Sequence, residues 1–386
     1  MSLMNVYGQD LYEHVMLSEA KHLGVTREIL RFAQHDMLEC DRSCSSGQLN
    51  TAILGENRRM NDEMFAAVLR QHAAPPEHGS WPIPRRGPGQ ALVRVTAAPI
   101  SPLDLLCASG TSYFGAPRLP YIPGTQGVGI VMEADALAPG QRIWFSCDAG
   151  MKPGDGSMAE YCVIDEASAL TLPDQIDEDL AAALGLSSIA AWMALTWRGR
   201  LQPGEQVLVL GASGAVGQVA VQAAKLLGAG RVIAASRDEA ARTRALSQGA
   251  DAVVDLTGEN VDEISKRIAA ACDGPLQLVI DPVWGIPAEA AGRVLGYEGR
   301  LVNIGSAAGA AARFESAIVR SRLHNIIGYT NNALTPEQKA QALSEILTHA
   351  AAGRCTIERE KVPLANAAEA WKRQAASARR KLILIP

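Results

Sequence analysis

Apolar positions fall into two textures along the chain. Between residues 60 and 173 they come in short runs split by Gly and Pro, at 64–69, 91–97, 128–132, 142–146 and 158–164. Short runs bounded by turn residues read as strands, so this stretch predicts a β-rich, barrel-like domain. After Asp174 the runs alternate with stretches of helical length. Strands are predicted at 206–210, 231–235, 252–255, 278–281 and 300–304, with helices at 216–227 and 239–248 among them. Strands alternating with helices argue for an α/β fold built on a doubly wound parallel sheet. A further helix is predicted at 335–352, opened by Thr335, Pro336 and Glu337 as cap and first turn. No internal repeat appears.

Two stretches fall outside this pattern. Residues 1–59 are polar and lack a strand pattern, although 17–38 has the spacing of a helix, with Leu23, Ile29, Leu30 and Ala33 on one side. Met60 stands just ahead of the first strand, so residues 1–59 are expected to be an extension outside the fold. Residues 180–197 carry no charge, but they are mostly Ala, with Gly185, Ser187, Ser188 and Thr196 among them. That modest hydropathy predicts a buried helix at a domain junction rather than a membrane span.

Composition narrows the class. A chain of 386 residues exceeds one comfortable core, so two domains are expected. Lys and Arg number 36 against 41 Asp and Glu, for a net charge of −5. No basic stretch dominates, which argues against nucleic acid or an anionic membrane as partner. Seven cysteines at 40, 44, 107, 147, 162, 272 and 355 include no CxxC pair. Neither a disulfide framework nor a structural zinc site is suggested, and a cytoplasmic setting is expected.

The sharpest motif runs from Val207 through Gly211, Ala212, Ser213, Gly214, Ala215, Val216 and Gly217. It follows a predicted strand and opens a predicted helix, the context that dinucleotide binding requires. Gly214 lets the backbone approach a pyrophosphate, Gly217 lets the helix pack on the sheet, and the helix N-terminus faces the phosphates. A site preferring NADH carries Asp or Glu about 20 residues further on. That position falls at Ser236, followed by Arg237, with Arg242 in the next helix. A guanidinium suits a 2′-phosphate, so NADPH is the expected cofactor.

Further motifs bring a resemblance. Pro99-Ile100-Ser101-Pro102-Leu103-Asp104, Gly110-Thr111-Ser112-Tyr113 and the run from Leu119 to Gly129 resemble medium-chain dehydrogenases/reductases, nearest to their quinone oxidoreductase-like branch. Residues 156–161, the loop at 211–217, Asp281-Pro282-Val283 and Asn303-Ile304-Gly305-Ser306 follow in the family order, and Gly305 joins the expected cofactor contacts. The resemblance covers residues 60–386. It implies a GroES-like catalytic domain at 60–182, completed by 354–386, around a Rossmann domain at 183–353. Homodimers paired along a sheet edge are common in such families, and 324–330 is the candidate edge here.

Zinc-dependent members carry Cys three residues before the Asp and Gly-His-Glu in the second motif. Ser101, Thr125 and Gln126 fill those slots here, so no metal is expected. Zinc-free relatives often have Asn in the Ser101 slot and Tyr two residues past the Asp, where this chain has Leu106. Hydride transfer to a quinone or an α,β-unsaturated carbonyl builds negative charge on oxygen, which hydroxyl donors can stabilise. Ser101 and Tyr113 are the candidate donors, with Asp104 ordering the loop. The plainer alternatives are a rim position for Tyr113 and a ribose contact for Ser101. The resemblance thus implies a zinc-independent, NADPH-dependent reductase of quinones or enones. The alternatives are a catalytically weak NADPH-binding redox sensor or binding module, and an acyl-thioester enoyl reductase on the same scaffold.

Overall fold

Residues 63–386 are described in the computed structural model of the chain. The expected extension, the helix at 17–38, Cys40 and Cys44 lie outside the described residues.

The chain opens with β1 (Glu63–Val68) and β2 (Glu77–Pro82), which pair with each other. Then follow β3 (Gln90–Pro99), α1 (Pro102–Ala108), β4 (Gln126–Glu133), β5 (Arg142–Ser146), β6 (Tyr161–Asp165) and β7 (Ala169–Thr171). Strands β3, β4, β5 and β7 pair antiparallel in that order, and β6 lies antiparallel to β3. Alternating burial along β3 fits a sheet with one face in the core.

Helix α2 (Glu178–Met193) leads out of this sheet and runs on into a π-helical turn, Ala194–Arg198. Six parallel strands follow, each joined to the next through a crossover. They are β8 (Gln206–Leu210), β9 (Arg231–Ser236), β10 (Ala252–Asp255), β11 (Leu276–Asp281), β12 (Leu295–Asn303) and β13 (Asn325–Gly328). Between them lie α3 (Ala215–Leu226), α4 (Glu239–Ser247), α5 (Val261–Ala271), α6 (Gly285–Val294) and α7 (Ser316–Ser321). The sheet order is β10-β9-β8-β11-β12-β13, which reverses direction between β8 and β11, the point where such sheets bind dinucleotides. Central strand β8 is buried at every position, as its unbroken apolar run requires. At the far edge β13 leaves one side unpaired among the described residues, with Ile326 exposed.

Helix α8 (Pro336–Ala351) closes the second sheet, and its start is a full capping box between Thr335 and Gln338. The chain then returns to the first sheet. Strand β14 (Arg359–Pro363) lies parallel to β15 (Lys381–Ile385), with α9 (Ala367–Ala375) between them in sequence, and β15 pairs antiparallel with β3.

One core joins the two sheets. Ala181, Leu184, Ile189 and Leu195 pack with Ala97, Val128 and Trp144 of the first sheet and with Val207, Val209 and Ile280 of the second. Glu178–Arg198 has the length and hydropathy of a membrane span, yet 78% of its most apolar window is buried inside the protein. Inside α2, Gly185 holds φ +26 and ψ −129, where only glycine is at ease. A Cβ there would collide with Gln126 Oε1 and come within 2.7 Å of Trp144 Nε1. The kink frees the Leu186 N–H, which donates to Gln126 Oε1 at 2.7 Å. Replacing Gly185 with Ala combines backbone strain and overpacking, and should lower unfolding stability by about 3 kcal/mol or more. Urea denaturation checks this; an unchanged midpoint would show the kink to be dispensable.

Candidate active site

The first half of the site is built on β8 and α3. The strand ends at Leu210, and Gly211 follows it, with a φ of +63 that turns the chain and a missing Cβ that leaves room for Val283 Cγ1. Ala212 is buried, and its N–H donates to Ala235 O of β9 at 3.0 Å. Gly214 is the N-cap of α3 and makes no side-chain cap bond; a Cβ there would meet only Gly211 O, at 3.5 Å. The first-turn donors of Ala215, Val216 and Gly217 are therefore open to an anion beside Ser213. At Gly217 a Cβ would collide with Gly211 O and with Ala212 Cα, so only glycine lets α3 sit this close to the loop.

Beyond β9 a groove of about 500 Å³ opens, lined by Gly211, Ser213, Ser236, Arg237, Asp238 and Arg379, among others. Ser236 is buried and its Oγ accepts from Asp238 N at 3.1 Å. Arg237 is exposed at the groove. Arg242 takes a different role from the expected cofactor contact. Its Nη1 donates to Ser236 O at 2.8 Å and to Asp255 Oδ1 at 3.2 Å, so it braces the turn and is not among the groove-lining residues. Gly305 also lies outside the groove lining: its carbonyl accepts from Asn303 Nδ2 at 2.8 Å, and Ala307 and Ala308 reach the groove instead. The cation that sequence reasoning missed is Arg379, which follows α9 and meets Asp238 at 3.3 Å. Only the return of the chain's last residues brings it here, and adjacent Arg379 and Arg380 carry no motif that announces it.

The second half is built around the start of α1. Ser101 is the N-cap, Pro102 takes the first helical position, and Asp104 completes a capping box. Asp104 Oδ2 accepts from Ser101 N and from Ser101 Oγ, each at 2.7 Å, while Oδ1 accepts from Thr125 N at 2.8 Å. A group that only accepts, three times over, is bonded as a carboxylate. Ser101 Oγ has one proton and gives it to Asp104, so in this arrangement it has none for a substrate. Thr125 Oγ1 differs: it is buried and has no partner among the described residues. Sequence reading weighed Thr125 only as a weak metal ligand; its free hydroxyl emerges once Asp104 is seen to take the backbone N–H alone.

Tyr113 is placed elsewhere. It is 74% exposed and lies tilted against Phe114 with ring centroids 4.2 Å apart. Among the described residues no hydrogen bond joins it to Ser101 or Asp104, and Phe114 is the ring it meets. Leu106, in the slot where a Tyr was looked for, is also exposed. Cys107 lies behind the cap, where burial and then the nearby Asp104 push its thiol up to about 11.

A catalytic zinc does not fit this donor set. Ser101 Oγ is committed to Asp104, and Gln126 Oε1 already accepts from Leu186 N and from Trp144 Nε1 at 3.2 Å. What remains is a neutral threonine hydroxyl, a poor ligand beside thiolate or imidazole.

Comparison with known proteins matches residues 87–174 to the alcohol dehydrogenase GroES-like domain and residues 215–348 to the zinc-binding dehydrogenase family. Quinone oxidoreductase-like protein 2 of Bos taurus is 32% identical over 229 residues, 58% of this chain and 63% of that one. A zinc-type alcohol dehydrogenase-like protein of Schizosaccharomyces pombe is 30% identical over 287 residues, 73% of this chain and 82% of its own length. A probable oxidoreductase from Mycobacterium abscessus has the same fold, with a TM-score of 0.72 over 84% of this chain and 99% of its own at 26% identity. The chain spans just under two thirds of the quinone oxidoreductase-like relatives it matches. From the donor set, the purified protein should carry no stoichiometric zinc, and chelators should leave its activity intact. Elemental analysis finding about one zinc per chain, lost together with activity, would refute this.

Proposed function

The chain belongs to the medium-chain dehydrogenase/reductase superfamily, in its quinone oxidoreductase-like branch, and on that premise we propose that it is a zinc-independent oxidoreductase transferring a hydride from NADPH to a quinone or an α,β-unsaturated carbonyl. The nicotinamide cofactor supplies the hydride when bound. The Gly211–Gly217 loop and the N-terminus of α3 would hold its pyrophosphate, and Arg237 at the groove would favour a 2′-phosphate. Ser236 offers no carboxylate to a ribose 2′-hydroxyl, which favours NADPH over NADH.

The observation that carries the reading is the Thr125 hydroxyl, buried and unpartnered beside the Asp104 clamp. Hydride addition to carbon drives negative charge onto the acceptor oxygen. A preorganised hydroxyl in a buried site stabilises that charge without a metal. Asp104 fixes the Thr125 backbone and occupies Ser101, so the Thr125 hydroxyl, with the likewise unpartnered Gln126 Nε2 next to it, is left to donate to substrate. A cofactor-binding module with little turnover is the second reading, favoured by the exposure of Tyr113 and Leu106, which takes both of those positions out of the buried site.

Replacing Thr125 with Val keeps the backbone bond to Asp104 and removes the free hydroxyl. Turnover should fall by about a hundredfold with cofactor affinity unchanged; steady-state kinetics with a small quinone panel measures both, and a loss under threefold would remove Thr125 from the mechanism. No turnover by the wild type across that panel would favour the binding module. For the cofactor, Arg237→Ala should weaken NADPH binding by about ten- to hundredfold and leave NADH nearly unaffected. Fluorescence titration of both cofactors tests it, and a wild-type preference for NADH would overturn the assignment.

A further inference from the structure

Lys381 opens β15 and is only 4% exposed. Its Nζ has no hydrogen-bond partner among the described residues. An ammonium buried without donors' partners is unfavourable unless a charge nearby offsets it. The charge that favours its ionised form is Asp104, the same carboxylate that holds Ser101 and Thr125. Backbone pairing fixes this approach. Lys381 N donates to Glu358 O at 2.8 Å, and Leu382 O accepts from Ile100 N at 2.9 Å, next to Ser101.

Resting on the hydride-transfer reading above, we infer that Lys381 is a positioning residue of this site. Its buried ammonium offsets the Asp104 carboxylate, so that Asp104 can hold Ser101 and Thr125 without opposing the negative charge that builds on the acceptor oxygen. Lys381 forms no bond in the step: the acceptor carbon takes the hydride, and its oxygen takes the electron pair and then a solvent proton. Without the ammonium, Asp104 is either an uncompensated anion beside the acceptor or a protonated group that no longer accepts three hydrogen bonds. Both outcomes slow the transfer.

The surroundings make Lys381 the group to follow by pH. Burial brings its ammonium down to about 8, against the opposing pull of Asp104. On α1, the Cys107 thiol is pushed up to about 11, and in the loop ahead of β4 burial also raises the Tyr121 phenol. Arg359 of β14 is in register with Lys381 but turns its Nε to Asp179 at 2.8 Å, and Glu360 is held by Arg373 of α9. Strand β3 brings only Ala98 and Pro99 against β15.

The test compares wild type with Lys381→Met in kinetics and in stability. At pH 7 the variant should lose about a hundredfold in kcat with little change in the KM for cofactor. Wild-type kcat should fall as pH rises through about 8, and the variant should show no such break. Should the variant fail to fold, the wild-type profile still decides: a kcat flat from pH 6 to 10 overturns the inference. Stability gives a readout without cofactor. Between pH 8 and 10.5 the unfolded chain holds a proton on Lys381 that the folded chain has lost, so wild-type stability rises with pH across that window. The wild-type unfolding constant should fall by about a hundredfold relative to the variant's, read by urea denaturation. A variant within threefold of wild-type kcat at pH 7 overturns the inference while leaving the hydride reading standing. Wild type inactive with every acceptor and both cofactors overturns that reading, and the inference with it.

Discussion

The Asp104 carboxylate accepts from two residues that the chain brings in from different places. Ser101 comes from the turn ahead of α1, and Thr125 from the loop that feeds β4. Strand β15 brings the buried Lys381 within electrostatic reach of the same group. Three segments far apart in sequence therefore share one electrostatic centre. Its low exposure makes the arrangement stringent, because a buried carboxylate tolerates few unfilled contacts. The free Thr125 hydroxyl is a by-product of that stringency: the clamp takes its N–H and leaves its oxygen.

A second constraint sits behind the first. Gln126 follows Thr125 directly, and its Oε1 bonds the N–H released by the Gly185 kink. Asn331 Nδ2 donates to Leu186 O at 2.9 Å, so the same kink is also tied to the segment after β13. Helix α2 is thereby anchored to both sheets by hydrogen bonds as well as by packing. The amide oxygen in the Gln126 slot serves the junction, while its Nε2 has no partner among the described residues.

Local signals were legible in the sequence wherever one stretch of chain decides its own shape. The strand-turn-helix at Gly211–Gly217, the capping box at Thr335 and the apolar run of β8 all follow from neighbours a few residues away. What could not be read is direction over long range. Arg242 has the right charge and offset for a phosphate contact, but Asp255 and Ser236 O, reached through β10 pairing, claim its guanidinium. Tyr113 carries a suitable phenol but sits on a segment that leaves it in solvent. Arg379 and Lys381 are ordinary basic residues until β15 pairs with β3 and brings them to the groove and to Asp104.

The pairing of β15 with β3 also sets an order of events during synthesis. The six parallel strands, 206–328, are complete well before the C-terminal residues exist, and their neighbours all lie within that span. The first sheet must wait. Until residues 381–385 leave the ribosome, β3 keeps one stretch of edge open, and such an edge is a template for wrong pairing. The sheet that holds β3 is thus sealed after the parallel sheet, and a nascent chain stalled short of β15 would hold a finished parallel sheet beside an unfinished one.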